Sequence, residues 1–298
     1  MNDKMSRAFA SIGCLVVALA SASRLPAGST PVAVPEPLQF VEHTIARDLA
    51  GGYQALLADL NRDGRPDIIA LASDLHELPW YENPGWQRHV LASSIDSPIN
   101  AAAHDADGDG IPEIALAHGF DTVYAASPGI VSILTHQADV RAPWSMKEID
   151  RLPTSHRLRF VDIEGEGRKV LVNFPLIGPR ATAPEYRDHV PLVAYRPGAW
   201  KREPITGAEE GVVHGIFPVA WNGERGGKRS VRVYRIADAL PDEWTRQALD
   251  EGGMAAAGCA VADLNADQRP DVVCIGTATA NLKWYENRGQ PLERPSPE

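Results

Sequence analysis

Apolar residues along this chain fall in short runs broken by polar turns, and no segment keeps a sustained helical period. The clearest stretch reads YQALLA (53–58), an acidic turn, DIIALA (67–72), LPWYEN (78–83) and WQRHVLA (86–92), which predicts four consecutive β-strands. Two signals repeat around such units. One is an aromatic followed five residues later by an aliphatic: Phe40/Ile45, Trp86/Leu91, Trp144/Ile149, Trp200/Ile205 and Trp244/Leu249. The other is an acidic loop after a small apolar strand, beginning at Asp59, Asp105, Asp162 and Asp263, with a decayed copy at 219–225 where Ala220 replaces the first Asp.

Loop starts are spaced by 46, 57, 58 and 43 residues, close to the length of one propeller blade. The last unit, VADLNADQRPDVVCIG (261–276) with LKWYEN (282–287), runs out without an aromatic-led strand. That strand stands at the other end of the chain, where LQFVEHTIA (38–46) precedes the first unit as an orphan. The pattern predicts an all-β fold, a β-propeller of five blades over 38–290 in which the N-terminal strand closes the last blade and protects its edge. An open stack, a truncated seven-bladed ring and a six-bladed ring are the alternatives. The open stack leaves both terminal units unsatisfied, and truncation would expose two apolar faces.

The loops follow D-x-[DN]-x-D-G-x-x-[DE], in which alternate side chains, one backbone carbonyl and a closing carboxylate surround a hard cation. The first loop supplies Asp59, Asn61, Asp63, the Arg65 carbonyl and Asp67, with Gly64 at the sharp turn. The second supplies Asp105, Asp107, Asp109, the Ile111 carbonyl and Glu113, with Gly110. The last has Asp263, Asn265, Asp267 and Asp271, but Gln268 takes the glycine's place, which implies weaker binding or a strained turn. In the third, Asp162, Glu164 and Glu166 are followed by Val170 where the closing carboxylate belongs, and the fourth (Ala220, Asn222, Glu224) reads as empty. Ordinary Asp/Gly turns are the competing reading for one loop, and recurrence in register disfavours it. The expected role of Ca2+ is structural, since the ligands converge only in the folded chain.

Composition narrows the partners. The net charge is -10, which disfavours a nucleic-acid backbone, and the acidity is concentrated in the loops. Lys4 and Arg7 precede a short apolar stretch (8–20) with A-x-A-like cleavage sites, so 1–22 reads as a signal peptide. A membrane anchor is the alternative if the segment is not cleaved, although the run is short for a span. Residues 23–37 read as a Pro/Ser-rich linker and 291–298 as a disordered tail. The protein is therefore expected to be exported, periplasmic or extracellular, with no membrane span after cleavage. Cys259 and Cys274 flank the last loop, and either a cross-strand disulfide or two small buried thiols fits them.

DLNRDGRPDIIALAS, DADGDGIPEIALAHG and DLNADQRPDVVCIGT resemble FG-GAP/VCBS-type repeats of integrin-like and bacterial exported propellers. PTSHRLRFVDIEGEGRKVLVNFPLIGP (153–179) and GVVHGIFPVAW (211–221) are more specifically similar to the propeller of aldos-2-ulose dehydratase-like proteins. That resemblance implies dehydration of an oxidised sugar with a divalent metal. The family's enzymes carry further, cupin-like domains that these 298 residues do not include.

Six positions before each loop, in the strand expected nearest the axis, stand Tyr53, Ile99, His156, His214 and Ala257. His156 and His214 are equivalent residues of adjacent units and suit a divalent transition-metal site or an acid/base pair, with Tyr53 able to donate a proton or bind a hydroxyl. Buried, hydrogen-bonded histidines are the competing structural reading. No third ligand is obvious, although His118, Asp188 and His189 are available, and His104 sits at the rim of the second loop. In the long insertion 174–190, Arg180, Tyr186 and Arg187 could meet an anionic or hydroxylated ligand or merely cover one face. The repeated WYEN segments read as inter-blade packing rather than a sugar platform. Two functions follow: a calcium-binding interaction module for a carbohydrate or another protein, or a metal-dependent carbohydrate lyase centred on His156 and His214.

Overall fold

The structure, a computed structural model, describes residues 39–163, 166–182, 188–205, 209–210, 249–250, 253–254 and 256–289. The described chain opens on β1 (Gln39–Ala46) and continues through a four-stranded meander of β2 (Gly52–Ala58), β3 (Asp67–Ala72), β4 (Glu77–Glu82) and β5 (Gln87–Ser93). A second meander follows: β6 (Asn100–His104), β7 (Glu113–His118), β8 (Ile130–Thr135) and β9 (Ser145–Arg151). The third sheet joins β10 (Ser155–Val161), β11 (Val170–Pro175), β13 (Val193–Tyr195) and β14 (Arg202–Pro204), while β12 (His189–Val190) pairs with β15 (Glu209–Glu210). The last sheet comprises β16 (Ala256–Ala262), β17 (Asp271–Gly276) and β18 (Leu282–Gly289), completed by β1. All pairings are antiparallel, and one 3-10 turn at Tyr124–Ala126 is the helical element among the described residues.

The orphan N-terminal strand thus lies where the sequence pattern puts it, with Glu42 opposite Tyr285 and His43 opposite Trp284. One detail differs. Trp86 and Trp200 do not begin the outer strands but occupy the preceding turns at φ 55° and 48°, each N–H donating to the carbonyl four residues back (Glu82 and Arg196). The aromatic marks the turn that reverses the chain.

The second strand of each four-stranded sheet is buried along its whole length (DIIALA, EIALAH, VLVNFP, DVVCIG), because both faces meet other sheets or loops. Ile69 and Leu71 pack with Trp80 against Ile111, Ile114 and Leu116 of the second unit. Ile68, Ala70 and Tyr81 point the other way, onto Leu264, Val273 and Ile275 of the last. Ala115 and Ala117 pack with Val131 on Leu158, Leu171 and Tyr195 of the third. Fully burying each Ile or Leu contributes about 1.5–3 kcal/mol, so these inter-sheet layers hold the sheets in sequence. The WYEN segments therefore do pack between sheets: Trp80 and Tyr81 face opposite ways and are both buried.

The inner strands are neighbours in turn, β16 beside β2, β2 beside β6 and β6 beside β10. Successive four-stranded antiparallel sheets stacked face to face in this way are consistent with a β-propeller. Cys259 and Cys274 are directly paired residues of β16 and β17, with Cα atoms 4.2 Å apart, and form a disulfide.

Candidate metal loops and the axial cluster

Each acidic loop joins the inner strand of its sheet to the next strand. In the first, Asp59 accepts the backbone N–H groups of Asp63 (3.2 Å) and Gly64 (2.9 Å), Asn61 Oδ1 accepts Asp63 N–H (3.0 Å), and Asp63 accepts Arg65 N–H (2.9 Å). The last loop repeats this bond for bond: Asp263 takes Asp267 and Gln268 N–H (3.1 and 2.7 Å), Asn265 takes Asp267 N–H (3.2 Å), and Asp267 takes Arg269 N–H (2.9 Å). Such turns point the side-chain oxygens of alternate positions inward. Gly64 has φ +83°, and Gln268 holds the same left-handed region at +66°, where a side chain crowds its own backbone.

The closing carboxylates are clamps. Asp67 accepts Leu60 N–H (2.9 Å) and Asn83 N–H (2.8 Å), tying the loop's start to the end of β4. Asp271 does the same with Leu264 (3.0 Å) and Asn287 (2.8 Å), and Glu113 accepts Ala106 N–H (2.8 Å). Burial raises all three above the usual carboxylate range, Asp67 to about 6, against the opposing pull of those N–H groups. A carboxylate so placed gains from a nearby cation.

In the second loop, the carboxylate oxygens of Asp105, Asp107 and Asp109 lie within 4.8 Å of one another. A cation bound at about 2.3–2.6 Å places its ligands within about 5 Å of each other, so this oxygen-rich donor set fits calcium. The Ile111 carbonyl and Glu113 stand next in the loop. Asp109 is held below its usual range chiefly by His136, whose Nε2 lies 2.7 Å from its Oδ2. The third loop keeps Asp162, which accepts Glu166 N–H (3.2 Å) and Gly167 N–H (2.8 Å), but Val170 is buried where a closing carboxylate would stand. Glu164 and the fourth loop lie outside the described residues.

Sequence reasoning missed what orients the loop amides. Glu82 accepts Asn61 Nδ2–H (3.1 Å), so the amide oxygen faces the loop interior; Glu286 does the same to Asn265 (3.5 Å). His89 and His43 then bind Glu82 (2.9 Å) and Glu286 (3.1 Å); His89 packs at a tilt on Trp80 (ring centres 4.7 Å apart) and His43 stacks on Trp284 (4.5 Å). Partners that fix a ligand's orientation tune a metal site as the ligands do. The only signal was the Glu shared by both WYEN segments.

At the start of the inner strands, the opposite end from the loops, Tyr53 and His156 meet: the hydroxyl lies 3.0 Å from His156 Nε2, although β6 stands between their strands. Arg157 donates to the Tyr53 hydroxyl (3.0 Å), with its guanidinium 5.3 Å from the ring centre, and Phe120 lies 5.3 Å from the His156 ring. His156 is buried. Ile99 is core, Ala257 is exposed, and His214 lies outside the described residues. The other histidines are dispersed. His118 is buried against Ser132 (3.0 Å) and held below its usual range by that burial; His104 packs on Phe160; His189 is exposed in β12. In the insertion, Arg180 pairs with Asp188 (3.1 Å), while Tyr186 and Arg187 lie outside the described residues.

A family model for the FG-GAP-like repeat matches residues 59–116, the first two acidic loops and the strands between them. Residues 59–116 are thus similar to an FG-GAP-like repeat, within an all-β architecture that is consistent with a propeller. No curated protein matches the chain. Among solved structures, one titled "Crystal structure of BBS1N in complex with ARL6DN, soaked with lead" is similar at a TM-score of 0.36 and 11% identity, covering 88% of this chain. This chain spans 61% of that one's length.

Proposed function

We propose that the protein is an exported FG-GAP-type β-propeller of five blades, stabilised by calcium in its acidic loops, that serves as a binding or interaction module for a carbohydrate or another protein. The observation that carries the calcium reading is the bond-for-bond repetition of the first and last loops, together with the converging carboxylates of Asp105, Asp107 and Asp109. The assigned ligands are Asp59, Asn61, Asp63, Asp67 and the Arg65 carbonyl; Asp105, Asp107, Asp109, Glu113 and the Ile111 carbonyl; and Asp263, Asn265, Asp267 and Asp271. Five blades are favoured because the third and last sheets each keep an apolar face (Val172 and Phe174; Val272 and Tyr285) that packs on neither of the first two sheets. A fourth unit between them in sequence would cover both. Export is supported by the signal-like segment and by the Cys259–Cys274 disulfide, a bond that persists in oxidising compartments.

Calcium at about a hundred times its dissociation constant adds about 2.7 kcal/mol per site. For a chain of this size that is a rise in melting temperature of roughly 5–10 °C per site. A chelator should lower the melting temperature and excess calcium restore it. A melting curve indifferent to both would overturn the loop assignment.

A further inference from the structure

We propose that the axial end of β10 is a binding site for a small oxyanion, a carboxylate or phosphate, held by Arg157 and Arg159 with the Tyr53 hydroxyl and Asn100 beside them. Arg157 and Arg159 are two residues apart on one strand, so both side chains leave the same side of the sheet. Arg159 donates to Asn100 Oδ1 (3.1 Å) and to the Leu158 carbonyl (2.6 Å), both neutral acceptors. No carboxylate pairs with it among the described residues. Burial and the charge of Arg157 together pull its guanidinium down to about 10. A largely desolvated arginine is normally matched by a carboxylate or phosphate, because its planar fork is costly to leave uncompensated. The neighbouring charge acting on Arg159 is that of Arg157, and an oxyanion ligand at Arg159 would match it.

The neighbouring side chains are fixed in place by their own hydrogen bonds. Arg157 donates to the Tyr53 oxygen, which leaves the hydroxyl hydrogen free to point at His156 Nε2. Asn100 Nδ2 bonds Gln54 Oε1 (2.9 Å), so its Oδ1 is held toward Arg159. Tyr53, Arg157 and Arg159 all keep part of their surface open to solvent. The cluster lies at the opposite end of the inner strands from the acidic loops, and its occupancy does not depend on calcium being bound there.

The test is titration calorimetry and thermal shift on the whole chain in saturating calcium, with glucuronate, inorganic phosphate and glucose as probes. Glucuronate or phosphate is expected to bind and raise the melting temperature by a few degrees, glucose to do neither. The stronger of the two anions identifies the carboxylate or phosphate source. R159M should weaken binding at least tenfold while leaving the unliganded protein as stable as before or more so. Y53F should fold and lose a smaller factor. Binding unchanged in R159M would overturn the site. If R159M does not fold, the wild-type titration decides, and no response to either anion would overturn it equally. Calcium stabilisation persisting without anion binding would leave the loop assignment standing and remove this one alone.

Discussion

The first and last sheets share one polar framework built from different pieces of chain. In the first, a single continuous segment supplies the loop, Glu82, Asn83 and His89. In the last, His43 enters from β1, at the far end of the described chain, and takes the place of His89 on Glu286 and against Trp284. What the two have in common is therefore set by local side-chain chemistry and strand register, not by chain continuity. What they do not share is equally informative: Gly64 against Gln268, a disulfide in the last sheet alone, and the origin of the arginine on each Glu.

Removing β1 should have the largest effect. Deleting residues through 47 strips Phe40 and Ile45 from the core, the His43–Trp284 stack and the whole outer ladder. The loss is about 5 kcal/mol, comparable to the total stability of many domains. A truncated chain that unfolds at the wild-type denaturant midpoint would refute the closure role.

Next comes the clamp. D67A leaves the N–H groups of Leu60 and Asn83 unpaired in a buried site, at about 1–3 kcal/mol each. It should also abolish the calcium-dependent rise contributed by the first loop, and D271A should behave alike in the last. The pair separates clamp from metal site: the cost appears in chelator, the lost rise only in calcium. Reducing the disulfide should cost about 3 kcal/mol, as expected for a closed loop of about 15 residues. Denaturant curves with and without reductant measure it.

These differences also mark what the sequence could disclose. The acidic loops, the orphan strand and the WYEN segments were legible because each is a local pattern repeated in register, and repetition reveals position. Glu82 was hidden in plain view, since a Glu in an aromatic strand looks like an ordinary exposed residue until Asn61 is seen donating to it. Arg141 on Glu82 and His136 on Asp109 come from loops at the far end of β8, and no spacing rule links them. Arg159 was invisible for another reason: RLRF alternates like any half-exposed strand, and only the packing of β10 beside β6 brings Arg159 onto Asn100. Tyr53 and His156 were brought to one level by register counting, but their 3.0 Å contact needed the third dimension.

A smaller effect tests the turn. Gln268 stands in a left-handed conformation that costs a residue with a side chain about 1–2 kcal/mol. Glycine relieves that cost but adds freedom to the unfolded chain, so Q268G should gain about 0.5–1 kcal/mol, and G64Q should lose a similar amount. Calcium affinity in the last loop should rise with Q268G if strain is what distinguishes it from the first. An unchanged affinity alongside a raised stability would locate the strain outside the ligand geometry.

The smallest effect concerns the arginines. Arg141 crosses from the loop after β8 to bind both oxygens of Glu82, whereas Arg288 reaches Glu286 from two residues away on its own strand (3.0 Å). The Arg141 guanidinium, helped by Asn61 and His89, holds Glu82 down to about 2. A carboxylate depressed in this way contributes stability above its ordinary value near 4.5, and loses it as pH falls toward 2. Arg141 is half exposed, so solvent screening limits the pair to about 1 kcal/mol or less. R141M should therefore cost that much at neutral pH, and the cost should shrink as pH drops through that window. R288M should cost less still, because its pair joins no second element. Equal penalties for the two would mean that the inter-sheet span of Arg141 adds nothing to the ion pair itself.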